Sequence, residues 1–351
     1  MHTVTLLLVV SSWTASAPPI TVGTARQLVL DDHLIASQLN VSRQIHPARK
    51  HPANPVLEPT EPWEGDTAIL FGSAIRDGDR YRMWYYAGGN VGYAESEDGL
   101  RWRKPNLGVI AHQGRDTNLV VRRDEADGSP PTLPYLLENF GEIYSMMVFP
   151  YEGVYIGLVQ MFHKERDTCR LELQLAVSRD TRHFTRVGDR APFIPVGPTG
   201  SWDQYNNSIA TGPPLEVGDE LWFYYGGRSS PHSPYQAAGA AKRGCIGLAT
   251  IPRDRFASLS AGEQPGQILT KPLRLDGRML HLNADASAGH MVIDMLDTTG
   301  NVVARSSRIT RDSLDIPVEW ETGGLEAATP PVTLRIQMQQ AELFALWCSP
   351  R

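Results

Sequence analysis

The chain of 351 residues has few cysteines, little helical periodicity and no excess of positive charge. Its three cysteines, Cys169, Cys245 and Cys348, lie far apart with no CxxC, which excludes a disulfide framework and a zinc-finger set. At most one disulfide can form, and buried thiols are the default expectation. Lys and Arg total 33 against 39 Asp and Glu, a net charge of −6. That balance argues against a nucleic-acid partner, which needs a basic face. Past the N-terminus no apolar run reaches the roughly 20 residues of a membrane-spanning helix. GxxxxGK[ST], GxGxxG, HExxH and GxSxG are all absent, so nucleotide, zinc-peptidase and serine-elbow chemistry have no footing.

What is present is turn-rich and apolar in short stretches. Gly 31 and Pro 26 stand in a chain that is 41% hydrophobic and 21% charged, which suits many short strands. Residues 2–17 read HTVTLLLVVSSWTASA, with an apolar run from Val4 to Val10 and a small-x-small pattern at Ala15-Ser16-Ala17. This fits a secretory signal over residues 1–17 and implies export, secreted or periplasmic.

The most informative feature is a weak repeat. Gly78-Asp79 is followed by Arg80-Tyr81-Arg82-Met83-Trp84-Tyr85-Tyr86, and Gly218-Asp219 by Glu220-Leu221-Trp222-Phe223-Tyr224-Tyr225. Each reads as a turn and an aromatic strand. A second element runs from Val91-Gly92-Tyr93-Ala94 through Glu97-Asp98 to Trp102. It recurs from Leu173 to Phe184 and from Ile246 to Phe256. Repeated strand–turn–strand units ending on aromatics suit an all-β propeller, here expected to have five blades over residues 24–262. Residues 112–141 and 228–243 read as loops. The N-terminal strand Leu28–Ile35 is expected to close the ring by completing the last blade. Beyond Gly262 the blade elements stop, and period-2 strands with a hairpin turn at Asp297–Asn301 predict a small antiparallel β-sandwich over residues 263–351.

Carboxylates recur just ahead of the strands expected to line the axis. Trp63-Glu64-Gly65-Asp66 precedes the first aromatic strand, and Ser201-Trp202-Asp203-Gln204-Tyr205-Asn206 the last. Glu142 opens the middle unit. Acids converging at one mouth are what glycoside hydrolysis needs, and their crowding keeps one of them protonated. Asp66, Glu142 and Asp203 are therefore the candidate catalytic set. Each is weighed against a turn-capping Asp or Glu. Asp32, His51, Glu64, Arg82, His163, Tyr205 and Asn206 are candidate substrate contacts, with satisfied structural roles as the alternative for the histidines and Arg82. Ser96-Glu97-Asp98-Gly99-Leu100-Arg101-Trp102 is one residue short of a sialidase Asp-box and reads as a stabilising turn.

These segments carry a resemblance. Leu28–Ile35, Lys50-His51-Pro52-Ala53-Asn54-Pro55-Val56-Leu57, Pro62-Trp63-Glu64 and Tyr81–Tyr85 resemble secreted bacterial proteins labelled glycosyl hydrolase family 32-like. So do Pro192–Pro195, Gly200–Asp203, Gly244–Thr250 and the C-terminal stretch through Phe344. The resemblance implies a five-bladed propeller with an appended β-sandwich, and a trio at Asp66, Glu142 and Asp203 related to the acids of families 32 and 43. The Trp-Met-Asn-Asp-Pro-Asn nucleophile motif is absent, and the chain is short between Val121 and Gly141, so one blade is expected to be eroded. The expected function is a secreted glycoside hydrolase with a carbohydrate substrate and neither metal nor other cofactor. The rival is a non-catalytic carbohydrate-binding or scaffold protein.

Overall fold

A computed structural model describes residues 18–121, 141–163, 169–209, 212–232, 243–327 and 329–350. The expected signal segment lies outside the described residues. Apart from two single-turn 3₁₀ segments, Pro62–Glu64 and Leu325–Ala327, the described residues form strands and loops. No helix among them is long and apolar enough to cross a membrane.

Two bodies of sheet hold the repeat units. The first unit is a five-stranded antiparallel sheet built around Arg80–Ala87 and Asn90–Ser96. Arg80–Ala87 buries Tyr81, Met83, Tyr85 and Ala87 in strict alternation, the mark of a sheet with one face on the core. The middle and last units share a ten-stranded sheet. Its inner strands Arg170–Ser178 and Gly244–Pro252 are buried along nearly their whole length on both faces. The repeated Gly-Asp turns are present: Gly78 and Gly218 both sit at φ +61°, a left-handed conformation that glycine adopts at no steric cost.

The short acidic turns behave as structural devices. Asp98 Oδ1 accepts from the backbone N–H groups of Leu100 and Arg101 at 2.9 and 2.8 Å. Asp180 Oδ1 does the same for Arg182 and His183 at 2.9 and 2.8 Å. These bonds, led for Asp98 by the Arg101 N–H, hold its carboxyl well below the usual carboxylate range.

Apart from two two-stranded ribbons, Ile20–Val22 with Leu273–Leu275 and Ala111–His112 with Arg115–Asp116, the remaining strands form two six-stranded sheets whose apolar side chains share one core, including Leu259, Leu282, Ile293, Ile336 and Leu343. The Asp297 turn forms as expected: its Oδ1 accepts from the N–H of Thr299 and of Asn301, joining His290–Leu296 to Val302–Ser306. One expectation is corrected here. The segment Leu28–Ile35 does not complete a blade. Gln27–Leu28 pairs with Ala341–Cys348, Ile35–Leu39 with Gly266–Thr270, and Ser42–Ile45 with Ala257–Ala261, all in these two sheets. Alternating apolar strands fit any half-buried antiparallel edge, so the pattern alone did not choose the sheet. The last unit is completed instead by Arg49–Lys50, which pairs with Gly244–Pro252. All three cysteines are buried and none is in a disulfide. Burial pushes the Cys245 and Cys348 thiols up to about 11.

Candidate functional site

Two of the acids picked out by the repeat are buried inside it. Glu64 is 0% exposed. It accepts from Tyr85 Oη at 2.5 Å, from Lys104 Nζ at 2.7 Å, and from the backbone N–H groups of Thr60 and Glu61 at 2.8 Å. Asp203 is 3% exposed and accepts from Tyr225 Oη at 2.9 Å and Ser201 Oγ at 2.9 Å, and it is ion-paired to Lys50.

The two clusters are copies of one device. Tyr85 stands opposite Gly92, and Tyr225 opposite Gly247. A Cβ on Gly92 would lie 2.7 Å from Tyr85 Cζ, and one on Gly247 2.8 Å from Tyr225 Cζ, so each ring lies where a side chain would otherwise be. Lys104 and Lys50 each lie over the ring, 5.8 and 5.5 Å from its centroid. A tryptophan precedes each acid; Trp202 stacks on Tyr225 at 5.6 Å. Asn118 bonds the backbone of Tyr93, and Asn54 that of Leu248, the residue after each glycine. Burial first, then the adjacent carboxylate, raises both tyrosine hydroxyls far above their ordinary value, so they stay neutral donors. Among its described residues the middle unit shows no such clamp: Val159 pairs with Gln174 at the corresponding place.

A pocket of about 170 Å³ opens where the three units meet. Ile69 and Phe71 come from the first unit, and Tyr144, Gln160 and Leu171 from the middle one. Asn206, Asn207, Ser208, Arg228 and His232 come from the last. Cross-unit bonds fix this junction: Ser208 Oγ donates to the Leu70 carbonyl at 3.1 Å and Gln160 Nε2 to the Asn207 carbonyl at 2.7 Å. Asn207 is wholly buried. Its Nδ2 donates to the carbonyls of Ile194 and Pro195 at 3.1 and 2.9 Å, and its Oδ1 has no hydrogen-bond partner. Asn206 Nδ2 donates to Ser230 at 3.0 Å, and its Oδ1 is likewise buried without a partner.

The other expected site residues scatter. Asp66 is exposed, with Thr67 Oγ1 donating to it at 2.9 Å. Its carbonyl accepts from Gly244, and Thr67 abuts Gly244 beside Arg228, which places Asp66 near the pocket rim. Glu142 pairs through its backbone with Phe162; its side chain lies outside the described residues. Asp32 is bound to Arg43 at 2.6 Å and accepts Lys271 on its carbonyl, beside the six-stranded sheets. His51 forms a turn, its Nδ1 accepting from Ala53 at 3.1 Å. Arg82 pairs with Asp77 at 2.9 Å, and His163 with Glu172 at 2.8 Å. Tyr205 contributes backbone bonds to Leu171 and Arg228, and its neighbour Asn206 reaches the pocket. Gln160, Asn207, Ser208 and Arg228 were not singled out from the sequence. The available signal was Asn206-Asn207-Ser208, three polar residues on a strand expected to be innermost. Among the described residues no group of three or more His, Cys, Asp or Glu is arranged to hold a metal ion.

No family model matches the chain, and no curated protein matches it. Similar solved structures include a glycoside hydrolase family 43 arabinoxylan arabinofuranohydrolase from Bacillus subtilis in complex with cellotetraose. It is 11% identical, covering 82% of this chain and 80% of that one at a TM-score of 0.21. A family 117 glycoside hydrolase from Zobellia galactanivorans is 11% identical, covering 89% and 92% at 0.24. An N-acetylgalactosamine deacetylase from F. plautii, in complex with blood group B trisaccharide, is 19% identical. That match spans 54% of this chain and about half, 51%, of the other at 0.25. At such TM-scores these likenesses decide neither the fold nor the chemistry.

Proposed function

We propose that the chain is a carbohydrate-active protein whose sugar site is the pocket at the junction of the three units. The lining carries this reading. The side chains of Phe71 and Tyr144 stand beside the amides of Gln160, Asn206 and Asn207. A sugar ring presents apolar C–H faces and hydroxyl donors, which such a lining complements.

Glycoside hydrolysis is the reaction proposed for it, in keeping with the sequence resemblance. Asp66 at the rim is the acid available to it, with Glu142 as its candidate partner. Glu64 and Asp203 are reassigned as structural anchors, because each is buried and already neutralised by a lysine. A second reading, binding without cleavage, rests on one observation. Among the described residues no carboxylate lines the pocket. A glycosidase needs two carboxyls about 5–10 Å apart. The architecture proposed is a five-bladed propeller with one blade eroded, drawn in to about residues 49–256, and a β-sandwich over 263–351 that also takes the strands from 27–45 and 257–261. Export is proposed from the apolar run and Ala15-Ser16-Ala17.

The test is product release and binding across a panel of oligosaccharides and aryl glycosides, for wild type, Asp66→Asn and Asp203→Asn. Release lost in Asp66→Asn at unchanged Tm supports hydrolysis. Binding without release from any form supports the second reading. Neither binding nor release by the folded wild type removes the carbohydrate reading.

A further inference from the structure

We propose that the sugar carries an acidic substituent, a carboxylate or a sulfate ester, and that Arg228 holds it; this rests on the pocket being a carbohydrate site. The chain pairs its arginines freely with carboxylates. Arg43, Arg103, Arg179, Arg255 and Arg335 each have an acidic partner within 3 Å. Arg228 lines the pocket and is half-buried, yet among the described residues no carboxylate pairs with it. Asp66, whose carbonyl accepts from Gly244 across the strand from Arg228, takes its side-chain bond from Thr67 instead. A guanidinium presents five donors in a planar fork and no acceptor, a geometry that matches an oxyanion bidentately.

A different chemistry stands beside it. Gln160, Asn206, Asn207 and Ser208 line the same pocket with uncharged amides and a hydroxyl. The pocket therefore has a neutral polar side for ring hydroxyls and a cationic donor at Arg228 for a negative group. A neutral sugar answers only the first; an acidic sugar answers both.

The experiment measures binding of matched trisaccharides to the full chain. The probes are galacturonate, glucuronate, mannuronate and guluronate trisaccharides, each beside its carboxyl-reduced counterpart and a 6-O-sulfated form of that counterpart. Wild type is expected to prefer one acidic probe by about 10- to 100-fold, the scale of a charge-assisted hydrogen bond. Arg228→Gln should abolish that preference, bringing the acidic and neutral affinities together, while Arg228→Lys should retain part of it. The preferred member of each uronate and sulfate pair identifies the acid. Should Arg228→Gln fold poorly, the wild-type ratio of acidic to reduced probe still decides. Equal binding of acidic and reduced probes overturns the inference and leaves the carbohydrate reading standing. Binding of no sugar, neutral probes of the panel included, overturns both.

Discussion

The Glu64 and Asp203 clusters are built alike and closed differently. Both set an acid against a tyrosine 21 or 22 residues on, with a glycine across the strand and a lysine over the ring. Lys104 reaches Glu64 from 40 residues away, at the outer edge of the same unit. Lys50 reaches Asp203 across 153 residues, from the beginning of the chain. The first clamp is local and almost sealed, with side-chain exposures of 8% for Lys104 and 0% for Glu64; in the second Lys50 is 25% exposed. One device thus serves two ends: it stiffens one unit and fastens another to the N-terminal segment. Acids recurring in a repeat need not converge on an active centre.

The largest effect should come from breaking the sealed clamp. Lys104→Met strands a buried carboxylate, a loss of about 3–5 kcal/mol in chemical denaturation. Lys50→Met should cost roughly half as much, because water reaches that lysine. Equal losses would show the clamps to be energetically equivalent despite their difference in burial. Asp203→Asn is expected to lower stability by an amount similar to Lys50→Met. An unchanged Tm with lost activity would return Asp203 to the catalytic set.

Next come the glycines. Gly92→Ala and Gly247→Ala each drive a methyl into a tyrosine ring, for about 1–3 kcal/mol by the usual cost of overpacking. The near-identical distances of 2.7 and 2.8 Å predict near-equal losses, so a wide gap in denaturation midpoints would break the likeness. The smallest effect is the pH response. Both hydroxyls titrate above the ordinary value of 10.0 in the folded state. Stability is therefore complete below about pH 10 and falls above it, as the unfolded tyrosines ionise and the folded ones cannot. Each contributes a slope of about 1.4 kcal/mol per pH unit there. Tyr85→Phe or Tyr225→Phe should each reduce the slope measured between pH 10 and 11, and by the same amount.

Much of this was legible in the sequence. The Gly-Asp turns, the aromatic strands and the Asp98 and Asp297 turns carry local signals and occur where expected. The tryptophan–acid pairs were visible too, but not their fate, since the lysine that neutralises Asp203 is remote and nothing near Lys50 announces it. The pocket was largely hidden for a related reason. Gln160, Asn207 and Arg228 come from three separate strands and share no local pattern; only the fold brings them together.

The path of residues 18–57 has a consequence for biosynthesis. They stitch into the C-terminal sheets, then give Arg49–Lys50 to the last unit, and only afterwards does the first unit begin. At roughly 5–20 residues per second, Lys50 leaves the ribosome about 8–30 seconds before Asp203 exists. During that interval its strand has no partner. This segment is thus made well before the strands it joins, and the nascent protein must keep it from wrong pairings until residues 244–348 have followed.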